Sequence, residues 1–132
     1  MLITGASAGI GSICAQYFAK EGASLALVGR NAEKFEKVLE NIKKSGVKTE
    51  PLVILADVSV DAERIIGETI EKYGRLDVLN NNAAIGNHAT IKTLQIEDFD
   101  KIFAVNVRGV VELTQYAVPH LIRSRESTAS DW

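Results

Sequence analysis

The sequence predicts an α/β fold, a doubly wound parallel sheet of Rossmann-like type, incomplete, with about four strands and the helices between them. Three observations predict it. Short continuous apolar runs alternate with amphipathic helical patterns, the apolar runs have the look of strands buried on both faces, and the first strand passes through a glycine-rich turn into a helix. The balance of 46% apolar and 24% charged residues excludes a disordered chain.

The chain opens with the apolar run Met1 to Thr4, then the turn Gly5 to Gly11, then Ile10, Ile13, Cys14, Tyr17 and Phe18 at helical spacing. These five residues are expected to form the buried stripe of the first helix, with Cys14 packed in the core rather than reactive. Gly22 stops that helix, and Leu25 to Val28 reads as the second strand. Asn31 is placed to cap a second helix with Phe35, Val38, Leu39 and Ile42 on one stripe, closed by Ser45 and Gly46.

Leu52 to Ala56 is the third strand, with Pro51 tolerated at its start. Ser59 can cap the third helix, which carries Ile65, Ile66, Ile70 and Tyr73 and ends at Gly74. Leu76 to Asn80 is the fourth strand. Residues 81–93 read as a loop, followed by a short helix with Phe99, Ile102 and Phe103. A long helix with Val110, Leu113 and Ala117 comes last, kinked at Pro119. The first strand is short for a central one, so residues could be missing upstream. The apolar pattern stops after Ile122, giving a partial dinucleotide-binding domain over 1–123 and a disordered polar tail over 124–132.

Several function classes drop out. Fifteen basic against seventeen acidic residues give a net charge of −2, too balanced to draw in a nucleic-acid backbone or an anionic membrane. No apolar run approaches the roughly 18 residues of a membrane span, and there is no basic flank before a hydrophobic start. One cysteine, Cys14, suits a reducing compartment such as the cytosol. His88 and His120 lack the neighbours of a metal site, so no metal is expected, and Glu97, Asp98 and Asp100 read as surface charges at a helix start.

Gly5, Gly9 and Gly11 lie where a backbone must turn sharply, approach a pyrophosphate and let the helix pack on the sheet. The helix N-terminus supplies unpaired N–H groups and the positive dipole end, and Ser7 could add a hydroxyl. No P-loop pattern occurs. About 20 residues on, where an acid would take a ribose 2′-hydroxyl, the chain has Gly29, Arg30 and Asn31. An arginine there can pair with a 2′-phosphate, which favours NADP(H) over NAD(H), although a solvated surface charge is the plain alternative. Asp57, at the end of the third strand, could accept from an adenine amino group or serve as a turn residue before Ser59.

With Thr4-Gly5-x3-Gly9-x-Gly11, Asp57-Val58, Asn81-Asn82-Ala83-Ala84 and Val105-Asn106-Val107 in order, the chain resembles the short-chain dehydrogenase/reductases over about residues 1–123. The resemblance implies a nicotinamide-dependent oxidoreductase fold. In it Gly5, Ser7, Ile10 and Arg30 line the phosphate and ribose side, Asp57 and Val58 flank the adenine, and Asn82, Ala83 and Ala84 run beside the cofactor. Asn81 would steady the central strands. Ala84 stands where the family has glycine and adds a methyl. Asn106 matches the family's catalytic asparagine, expected to hold a water in a proton relay; on spacing alone it is equally a helix cap.

The family's proton donor is a tyrosine with a lysine four residues later, a cation that brings down a phenol pKa near 10. Here Glu21, Asp77 and His120 follow Tyr17, Tyr73 and Tyr116 at that spacing, so no such pair exists. By the family pattern the chain stops before the fifth strand, and the serine, tyrosine and lysine would lie beyond it. The expectation is an NADP(H)-dependent carbonyl reductase or alcohol dehydrogenase by parentage, acting on a small carbonyl or alcohol substrate in its longer form and inactive as these 132 residues. A non-catalytic fragment that pairs with a full-length relative or another copy through its last helix is the alternative. A Rossmann-like methyltransferase would call for an acid near Arg30 and does not account for Asn81-Asn82-Ala83.

Overall fold

The computed structural model describes residues 1–47 and 50–129. The chain runs β1 (Leu2–Thr4), α1 (Gly9–Lys20), β2 (Ala26–Gly29), α2 (Ala32–Lys44), β3 (Leu52–Leu55), α3 (Ala62–Tyr73), β4 (Leu79–Asn80) and α4 (Ile96–Phe103). A π-helical segment (Ala104–Arg108) then leads into α5 (Gly109–Ala129). The four strands form one sheet in the order β3-β2-β1-β4, and every neighbouring pair is parallel. Parallel pairing requires a crossover after each strand, which is what α1, α2 and α3 provide.

Alternation along the strands feeds two cores. Leu2, Ala26, Val28 and Ile54 point to the side packed by Ile65 and Ile66 of α3 and by Leu113 and Ala117 of α5. Ile3 and Leu27 point the other way, onto Ala15 and Ala19 of α1 and Phe35, Val38 and Ile42 of α2. Three residues of the expected α2 stripe, Phe35, Val38 and Ile42, are buried there while Leu39 is only half-buried, and Asn31 caps that helix by accepting the Lys34 N–H at 2.9 Å.

The first helix differs from expectation. Gly11, Ala15 and Ala19 are its buried face, while Ile10, Ile13 and Tyr17 are 74%, 67% and 60% exposed. Small residues let α1 approach the sheet closely, and that approach decides which face turns in. Cys14 and Phe18 are half-buried against the same core. Strand β3 lies at an edge, with Leu55 exposed, rather than covered on both faces. Strand β4 is shorter than the expected 76–80, and Leu76 is buried before the ladder begins.

Ser59 does not cap α3. Asp61 is the N-cap residue, and Ser59 bonds to Asp57 instead. The expected polar tail is helix at least to Ala129, with residues 130–132 outside the described residues. Ser124 continues the face of Leu113 and Ala117 and is buried, its hydroxyl bonded to Arg75 and Asp77. Because an ion pair (Arg75–Asp77) awaits it there, a serine serves where the apolar pattern has ended. Pro119 lies inside α5.

Candidate cofactor-binding site

A cavity of about 770 Å³ opens among the loops that leave the four strands. This is the carboxyl edge of the sheet, where ligands of open α/β folds bind.

The β1–α1 turn forms its floor. Gly5 and Gly9 have φ of +65° and +54°, the left-handed region that favours glycine. A Cβ on Gly5 would stand 2.9 Å from both Ala83 Cα and Asn82 Nδ2, so the turn and the loop after β4 touch backbone to backbone. Ser7, Gly9 and Ile10 line the cavity beside Gly5. Gly11 does not; its Cβ would lie 2.4 Å from Gly5 O, so it serves the close packing of α1. Ala8, the N-cap of α1, makes no side-chain cap bond, and no acid occupies the first turn. The helix therefore presents backbone N–H groups without a side-chain acceptor at the cavity floor, a ready anion cradle.

Arg30 and Asn31 follow β2 on one wall, and Asp57 and Val58 follow β3. Arg30 Nη1 is 3.6 Å from Asp57 Oδ2, and the arginine side chain is 64% exposed. Asp57 Oδ1 accepts from the Ser59 N–H at 2.9 Å and from its hydroxyl at 2.7 Å. The Ser59 bonds, aided by Arg30, hold the Asp57 carboxyl below its usual pKa, so it is ionised near neutrality. Lys34, which sequence reasoning missed, also lines this wall. Its position one turn past the Asn31 cap was the available signal.

Asn82, Ala83, Ala84 and Ile85 form the opposite wall. Thr4 fixes it. Its hydroxyl, almost fully buried, accepts from the Asn82 N–H at 3.0 Å and the Ala83 N–H at 2.9 Å. Asn82 Nδ2 returns the tie by donating to Thr4 O at 2.9 Å and to Gly5 O at 3.3 Å. Thr4 was present in the sequence motif without an assigned role; a buried hydroxyl beside a glycine turn must find partners, which was its signal. Asn81, expected to steady the central strands, reaches α5 instead, donating to Thr114 Oγ1 at 3.0 Å. That steadying role falls to Asn82.

Asn106 is not a helix cap. It lies in the π segment and grips Ile85, donating to its carbonyl at 2.8 Å and accepting its N–H at 2.9 Å. Its neighbour Val105 reaches the cavity. The residues expected to bind a dinucleotide thus converge on one cavity apart from Gly11, which packs. Among the described residues no cluster of His, Cys, Asp or Glu could hold a metal, and no helix is long and apolar enough to cross a membrane.

A dinucleotide fits this donor set: an unobstructed helix N-terminus for phosphates, a cation at the end of β2, and a Cβ-free approach at Gly5. Comparison with known proteins agrees. The family model described as short chain dehydrogenase matches residues 1–129. An uncharacterized oxidoreductase of Thermotoga maritima is 45% identical over 121 residues, which is 92% of this chain and 47% of that protein. A short chain dehydrogenase from Burkholderia cenocepacia, solved in complex with NADP, superposes with a TM-score of 0.83 at 34% identity, covering 91% of this chain and 49% of that one. L-sorbose reductase from Gluconobacter frateurii, complexed with NADPH and L-sorbose, gives 0.84 at 30% identity, covering 94% and 47%. The chain spans about half the length of the relatives it matches.

Proposed function

The chain belongs to the short chain dehydrogenase family, and on that premise we propose that its cavity binds NADP(H) in preference to NAD(H), as the cofactor-holding part of an oxidoreductase that interconverts a carbonyl and an alcohol. The observation that carries this reading is the meeting of the uncapped α1 N-terminus and Arg30 in one cavity. When bound, the cofactor supplies or accepts the hydride. Gly5, Ser7, Gly9 and Ile10 receive the pyrophosphate on backbone and hydroxyl donors. Arg30, with Asn31 and Lys34 beside it, receives a 2′-phosphate. Asp57 and Val58 flank the adenine, and Asn82, Ala83 and Ala84 face the remainder of the molecule.

Asn106 spends its side-chain amide on Ile85, so it holds the wall of the cavity. None of the three tyrosines has a lysine four residues on, and Tyr73 is held structurally, its hydroxyl donating to Leu25 O at 2.9 Å. These residues therefore bind and orient; proton transfer to substrate requires groups outside them. Titration of the 132-residue chain with NADPH and NADH, followed by cofactor fluorescence and thermal midpoint, tests the reading. Saturable binding with NADPH preferred supports it, and absence of binding or a preference for NADH overturns it.

A second reading, pairing with another copy or a longer relative, is favoured by one surface. Phe99, Phe103, Val107 and Val111 recur every fourth residue along α4, the π segment and α5, and are 41%, 50%, 48% and 53% exposed. Such a stripe is larger than scattered surface apolar residues and suits helix-to-helix association. Sedimentation velocity distinguishes a monomer from a pair.

A further inference from the structure

We propose that Asp57 is a specificity-tuning residue: its carboxylate, set against Arg30, weakens the preference of the cavity for a 2′-phosphorylated dinucleotide over the unphosphorylated one. This rests on the reading of the cavity as an NADP(H) site. Arg30 Nη1 lies 3.6 Å from Asp57 Oδ2, close enough for strong charge coupling yet too long for a good hydrogen bond. The pair therefore does not lock the guanidinium in place, and the arginine side chain remains largely in solvent. What Asp57 contributes is charge.

Asp57 is committed to that charge. Its other oxygen accepts both the N–H and the hydroxyl of Ser59, an arrangement that favours the ionised carboxylate. A 2′-phosphate brings about 1.5 to 2 negative charges toward Arg30 near pH 7. It must share the guanidinium with a fixed anion and approach that anion as well. A dinucleotide with a free 2′-hydroxyl brings no charge there and meets a nearly neutral pair. Lys34, on the same wall, makes no ion pair with Asp57 and so leaves the balance to Arg30. Asp57 thus acts through Arg30 and through the local field, not by removing NADP(H) binding.

The test measures dissociation constants for NADPH and NADH on the 132-residue chain and on Asp57→Asn, which retains an oxygen to accept the Ser59 N–H. The expected result is a ratio of NADPH to NADH affinity about three- to tenfold higher in the variant, a factor set by removing one partly screened charge contact; any change at the adenine is common to both dinucleotides and cancels in the ratio. Weaker NADPH binding with NADH unchanged would mean that Asp57 orients Arg30, and overturns the proposal. Equal loss for both, or no change for either, also overturns it. Asp57→Ser serves as the second variant should Asp57→Asn lose its cooperative melt. Arg30→Ala separates this proposal from the reading beneath it: an unchanged ratio of NADPH to NADH affinity in Arg30→Ala refutes the NADP(H) assignment itself.

Discussion

Asn106 holds Ile85 by both of its backbone polar atoms, donating to the carbonyl at 2.8 Å and accepting the N–H at 2.9 Å. This one side chain ties the π segment to the loop that leaves β4, and so fixes the wall formed by Asn82 to Ile85. With Thr4 anchoring the other end at Asn82 and Ala83, the wall is pinned at two points.

Replacement of Asn106 by alanine leaves both Ile85 groups without this partner in a half-buried setting. A loss of about 1–3 kcal/mol is expected, because an orphaned partner costs more than the net value of its hydrogen bond. Chemical denaturation measures the loss. NADPH affinity should fall too as the wall loosens, while Asn106→Asp, which keeps the acceptor and loses the donor, should retain part of both.

Gly11 and Gly9 should respond unequally to substitution by alanine. At Gly11 the new methyl would meet Gly5 O at 2.4 Å and Asn82 Nδ2 at 2.5 Å, forcing α1 off the sheet. A cost of about 3 kcal/mol is expected. At Gly9 nothing lies within 4 Å, so only the positive φ is penalised, by about 1 kcal/mol. Thermal melts of the two variants should differ in that order.

Arg30→Ala should weaken NADPH binding by about ten- to a hundredfold, the usual worth of a hydrogen-bonded charge contact, and leave NADH binding nearly unchanged. Raising the salt concentration should shrink the difference, since the arginine is exposed.

Asp77 gives a pH signature. Arg75, bonded to its carboxylate, holds its pKa below the ordinary range, against a smaller opposing effect of burial. A depressed folded-state pKa means stability that is full above the unfolded value, about 4, and is lost as pH falls through the folded value. Asp77→Asn should therefore lower the thermal midpoint above about pH 5, and the gap should close in more acid solution.

Much of this architecture was legible because glycine turns and buried strands leave strong local marks. Gly5 and Gly9 sit where the spacing predicts, and Phe35, Val38 and Ile42 form the face that their period predicts. The face of α1 was misread because Ile10, Ile13 and Tyr17 outweigh Gly11, Ala15 and Ala19 on any hydrophobic scale, while close helix–sheet approach selects the small residues. Ser124 was assigned to a tail because the reason for its burial, the Arg75–Asp77 pair, lies 47 residues from it along the chain at Asp77. Asn106 and Ile85 are likewise joined only in space. Long-range partners of single polar residues leave no period in a sequence, and these are what hold the walls of the cavity.

The most direct test is an amide-resolved NMR titration of the 132-residue chain with NADPH. The account predicts saturable shifts concentrated at Gly5 to Gly11, Arg30, Asn31, Asp57, Val58 and Asn82 to Ile85, with smaller changes when NADH is used. Shifts confined to other surfaces, or none at saturating cofactor in a folded chain, would contradict it.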